Sequence, residues 1–128
     1  MKTNAALTAA SLLSVILFTF HLADDIVVRG IESGTLTNLW ALPIFAVWLY
    51  GTLALAERRA GYIIIFAASV LSLFVPFLHL RGKGVGINSS SIANSDGAFF
   101  FVWTLLIALG TTALFSVLLS SRELCGEL

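Results

Sequence analysis

Gly61-Tyr62-Ile63-Ile64-Ile65-Phe66-Ala67-Ala68-Ser69-Val70-Leu71-Ser72-Leu73-Phe74-Val75-Pro76-Phe77-Leu78-His79-Leu80 contains no Asp, Glu, Lys or Arg. A helix crossing a hydrocarbon core about 30 Å thick needs about 20 residues at 1.5 Å each, and this stretch supplies them. Between Ile63 and Phe77 lie three Ile, three Phe, two Val and two Leu. Each favours insertion by about 0.3 to 0.6 kcal/mol near a bilayer centre, so the segment as a whole favours it by several kcal/mol. The stretch reads as a transmembrane helix.

Three further apolar stretches follow the same rule: about Ala5 to Leu22, Leu39 to Ala56, and Ala98 to Ser121, again without a charged residue. Of the 128 residues 59% are hydrophobic and 11% charged, against roughly 25% charged in a soluble domain. A soluble chain this short cannot bury so much apolar surface, whereas a bilayer acts as the apolar solvent. The expected fold is therefore all-α: one domain over residues 1–128, a four-helix transmembrane bundle running up-down-up-down. Seven basic and seven acidic residues cancel, which argues against a nucleic-acid partner. The single cysteine, Cys125, rules out an internal disulfide and paired-cysteine zinc sites. Cys125-Gly126-Glu127-Leu128 lacks the aliphatic middle of a prenylation box.

Lys2 followed by an apolar run resembles a signal peptide, but cleavage after Ala23 would put His21 where a small residue is wanted. The run is read as a span instead. Both termini then share one side with Lys2, Arg58, Arg59 and Arg122, and three basic residues, Arg29, Arg81 and Lys83, lie opposite. The excess of basic residues places both termini in the cytoplasm of an inner or plasma membrane. Tyr50, Tyr62, Trp40 and Trp103 fall near span ends, as interfacial aromatics do, and Trp48 falls deeper as a packing residue.

Helices in lipid associate through close packing and hydrogen bonds. Thr104, Ala108, Thr112, Ser116 and Ser120 recur every four residues, as do Ala6, Ala10 and Ser14, and these two small-residue stripes are expected to face each other. Pro76 is expected to bend the third span by freeing the Ser72 carbonyl, while Pro43 falls where the second helix begins. The connection around Glu57 to Ala60 is expected to be a tight hairpin.

The candidate chemistry lies at the outer ends of the spans. His21 and His79 each close a span, and His21, Asp24 and Asp25 share one face if the first helix continues. Phe20-His21-Leu22 and Leu78-His79-Leu80 form a faint internal parallel that puts the two imidazoles at equivalent depth. Two imidazoles with carboxylates suit a divalent metal such as zinc, copper or iron, so His21, Asp24, Asp25 and His79 are the candidate metal ligands. The same groups suit proton transfer, and the bland alternative is a set of solvated interfacial residues. Arg81-Gly82-Lys83-Gly84-Val85-Gly86 offers Arg81 and Lys83 to an anion such as a lipid headgroup or phosphate, without matching a phosphate-binding loop. Asn88-Ser89-Ser90 fits a glycosylation sequon.

No ionisable residue occupies the middle of a span, where proton-coupled exporters place one. A quinone-reductase Cys-x-x-Cys pair and the paired loop cysteines of claudin-like or tetraspanin-like chains are absent too. The strings HLADDIVVRGIESG (His21 to Gly34), WLYGTLALAERRAGYIII (Trp48 to Ile65) and GAFFFVWTLL (Gly97 to Leu106) resemble those of small four-span bacterial membrane proteins of uncharacterised activity. The resemblance implies four spans and transfers no activity. Two function classes are left. One is a noncatalytic or accessory membrane component, working as a homo-oligomer or in a larger complex and holding a metal or small ligand at its outer face. The other is a small transporter or membrane enzyme using the same groups.

Overall fold

A computed structural model describes residues 4–24, 39–81 and 103–126. These are helical, with no strand among the described residues. Helix α1 is Ala5–Ala23, α2 is Ala41–Leu53, α3 is Arg59–Arg81 and α4 is Trp103–Gly126. In α4 the first part, Trp103–Leu109, is π-helical and the rest, Gly110–Gly126, is α-helical.

Asn4 starts α1 by accepting the Leu7 N–H at 3.1 Å, which satisfies one of the donors that a helix start leaves open. Its side-chain amide also donates to Glu123 Oε1 at 2.7 Å, tying the start of α1 to the end of α4. Further along, Leu17 and Phe18 pack on Leu105 and Leu109. Residue numbers therefore fall on α4 as they rise on α1. Helix α2 opposes α1 in the same way, with Ser11 bonded to Thr52 and the Phe18 ring edge-on to Phe45 at 5.1 Å. A methyl added to Gly51 would lie 2.5 Å from Ile64 Cγ2, so α2 and α3 nearly touch there.

The second span is shorter than expected. Leu39 to Ala56 reads as one apolar run, yet α2 has 13 residues and is about 20 Å long. Its last part is spent on reversing the chain. Ala54 and Leu55 both donate to the Tyr50 carbonyl, Arg58 donates to the Leu55 carbonyl, and Glu57 takes φ 65°. Gly61 then seats the first turn of α3 on the Leu55 carbonyl, with no room for a side chain. The tight hairpin expected from the sequence is present, and it begins three residues early. Pro43, the third residue of α2, needs no intrahelical donor there.

The polarity of the bundle is inverted relative to a soluble protein. Ser11, Ser14, Ser69, Ser72, Ser116 and Ser120 are buried, while Leu13, Ile16, Ile63, Leu71, Phe74, Phe115 and Leu118 face outward. Hydrophobic burial cannot hold such an arrangement together in water, and exposed apolar surface on this scale marks contact with something equally apolar. Helices α1, α3 and α4 are long and apolar enough to cross a membrane.

The small-residue stripes sit differently from the sequence reading. Ala6 is exposed, and α1 buries Leu7, Ser11, Ser14, Val15, His21 and Leu22 instead. On α4 the buried face runs Thr104, Leu105, Leu109, Ala113, Ser116, Ser120, leaving Ala108 and Thr112 half-buried. Leu105, Leu109 and Ala113 each lie one residue past the stripe drawn every four residues from Thr104, which rejoins the buried face at Ser116.

Candidate functional site

The last turn of α1 places His21 and Asp24 one turn apart, and both are buried, at 2% and 8% exposure. A spacing of three puts both side chains on one face. The Asp24 backbone N–H closes the helix on the His21 and Phe20 carbonyls. The His21 ring stacks against Phe18, centroids 6.3 Å apart and planes inclined by 25°. The π-helical start of α4 lies against this end of α1, with Thr104 and Leu105 buried. The result is a buried imidazole and a buried carboxyl one turn apart, at the end of α1 where Leu17 and Phe18 pack on Leu105 and Leu109.

Helices α1 and α3 both run against α4, since Pro76 of α3 meets Gly110 near the start of α4. They therefore finish at the same end of the bundle, and the closing turn of α3 carries His79 and Arg81 there. The side chains of His79 and Arg81, and all of Asp25 and Lys83, lie outside the described residues. Among the described residues no group of three His, Cys, Asp or Glu side chains comes together. What the structure describes of the proposed set is the pair His21 and Asp24. A pair alone does not complete a zinc shell, which takes three or four protein ligands.

The sequence reading missed a second polar cluster. Trp48 donates through Nε1 to Ser11 Oγ at 2.8 Å, Ser11 and Thr52 hydroxyls share a bond of 2.7 Å, and Thr52 donates to the Trp48 carbonyl at 2.9 Å. Thr52 spends its proton on that carbonyl, so Ser11 is the donor to Thr52. Trp48, Ser11 and Thr52 are almost wholly buried, and the closed cycle cross-links α1 to α2. Trp48 is thus an anchor as well as a packing residue. The available signal was Ser11 at a buried helical spacing from Leu7 and Ser14, a pattern of fours and threes.

Other buried hydroxyls bond to their own helices: Ser14 to the Ala10 carbonyl, Thr19 to Val15 and Ser120 to Ser116. Between α2 and α3 runs an open groove of about 390 Å³, lined by apolar residues from Pro43 to Trp48 and from Ile63 to Leu71. It offers no group to a metal or a polar substrate. Comparisons with protein-family profiles, with curated proteins and with solved structures find no match.

Proposed function

We propose that this chain is a noncatalytic, multi-pass membrane component that holds a divalent metal or small ligand at its outer end. The observation that carries the reading is the burial of His21 and Asp24 together on one helix face, at the end of the bundle where α3 also finishes with His79. Ionisable groups are costly inside an apolar assembly and are kept where they serve a function. His21 and Asp24 supply nitrogen and oxygen donors, and His79 and Asp25 complete the set. The noncatalytic reading is supported by the buried hydroxyls of Ser11, Thr52, Ser14 and Ser120, which bond to one another, to Trp48 and to helix carbonyls rather than to a base. The bilayer is the solvent for the outward Leu, Ile and Phe side chains, both termini are cytoplasmic, and the working form is a homo-oligomer or a larger membrane complex.

Titration of detergent-purified protein with Zn²⁺ and Cu²⁺, followed by calorimetry, tests the site. His21→Ala and His79→Ala are each expected to weaken binding at least about tenfold. Equal affinity in the wild type and both variants removes the site. Native mass spectrometry of the same preparation reads subunit number and retained metal.

A further inference from the structure

Midway along the bundle, well inside the histidine end, α3 and α4 share a seam of small residues. Pro76, Ser72 and Ser69 follow one another at spacings of four and three, so they occupy one face of α3. Gly110, Ala113 and Ser116 follow one another at spacings of three on α4, a band that winds across about 120° of the helix. Pro76 fixes how the faces meet, because a Cβ on Gly110 would lie 3.9 Å from Pro76 Cγ. From that contact, Ser69 is seven residues back along α3 and Ser116 six residues on along α4. These offsets put the two serines at about the same level, within one helical turn.

Ser69, Ser72 and Ser116 are all completely buried, and their Oγ atoms have no hydrogen-bond partner among the described residues. Ser14 and Ser120 satisfy themselves on the carbonyl four residues back, whereas these three hydroxyls do not. Pro76 has no N–H, so the Ser72 carbonyl lacks the usual intrahelical donor four residues on. Buried polar groups in apolar surroundings find partners, and water fills the role where two to four of them converge.

We propose that the α3–α4 seam binds ordered water, bridging the Ser69 and Ser72 hydroxyls and the Ser72 carbonyl to the Ser116 hydroxyl. The ligand class is water or a neutral hydrogen-bonding solute of its size. The bound molecule supplies the donor that Pro76 withholds, so the proline sits within α3 without an orphaned carbonyl.

Water–amide cross-relaxation NMR on the full chain in deuterated detergent tests this. Long-lived water is expected to show cross-peaks to the amides of Leu73 and Val117, with none at the outward-facing Leu71. In Ser116→Ala the Leu73 cross-peak is expected to persist, held by Ser69 and Ser72. In the triple variant Ser69→Ala, Ser72→Ala, Ser116→Ala both cross-peaks are expected to disappear. Absence of both peaks in the wild type, with a dispersed spectrum, overturns the proposal. So does a Val117 peak that vanishes with Ser116→Ala while Leu73 never shows one, because that pattern reports proton exchange of a single hydroxyl. If the triple variant does not fold, the wild type and Ser116→Ala alone decide the matter.

Discussion

Replacing Ser11 with alanine removes the hub of the α1–α2 cross-link. Trp48 Nε1 loses its acceptor at a position with 0% exposure, and Thr52 Oγ1 loses its donor, while the Thr52 bond to the Trp48 carbonyl survives. A buried donor left unmet costs about 1 to 3 kcal/mol. We take about 2 kcal/mol for Ser11→Ala, a shift of roughly 30-fold in the folded-to-unfolded ratio. The pairwise share comes from a double-mutant cycle with Trp48→Phe, which keeps an aromatic ring and removes the N–H. Helix–helix hydrogen bonds in membranes average about 0.6 kcal/mol and reach about 1.7, so a coupling near 1 kcal/mol is expected for this closed, fully buried cycle. The single thiol, Cys125, is exposed and takes an acceptor dye. Energy transfer to it from Trp40 and Trp103, which are 74% and 51% exposed and remain in every variant, follows unfolding in an SDS titration. A coupling below about 0.3 kcal/mol, within the ordinary error of additivity, would show that the bond between Trp48 and Ser11 does not hold α1 to α2.

Three further outcomes follow from the hairpin and the chain end. Gly61→Ala forces a methyl into the Leu55 carbonyl, which is backbone and cannot move aside, so it is expected to lower the SDS unfolding midpoint more than Gly51→Ala, whose clash is with the Ile64 side chain. The reverse order would mean that the hairpin is looser than described. Glu57→Gly relieves a left-handed residue that costs about 1 to 2 kcal/mol, less the greater chain entropy of glycine, and is expected to raise the same midpoint slightly. A clear drop would assign Glu57 a contact worth more than its strain. A membrane-impermeant maleimide is expected to label Cys125 in inverted vesicles and not in intact cells, and labelling of intact cells would reverse the proposed sidedness.

The helices were legible because length and apolarity decide them. Gly61 to Leu80 carries no charge and reaches across a bilayer by itself, and the structure places α3 there. The end of α2 was not legible, because Ala54, Leu55 and Ala56 are as apolar as the helix before them and the left-handed position is filled by Glu57 rather than glycine or asparagine. The inward face of α4 was half legible. Thr104, Ser116 and Ser120 fall on it as expected, but Leu109 and Ala113 take the inward positions expected of Ala108 and Thr112, and no residue type in Trp103 to Leu109 announces a π-helix. Of the candidate site, the shared helix face of His21 and Asp24 came from their spacing alone. Their burial did not, since it depends on how the other helices pack against the end of α1.

The π-helical start of α4 also bears on how this chain should be aligned with others. A turn closed five residues apart holds one residue more than an α-turn, so it accommodates a single extra amino acid without breaking the helix. A homologous sequence lacking one residue between Trp103 and Leu109 would describe the same bundle from Gly110 onward, with Trp103 and Thr104 rotated by about 100° around the axis. A one-residue gap there is a change in which way the first turn of α4 faces, and not a change of fold.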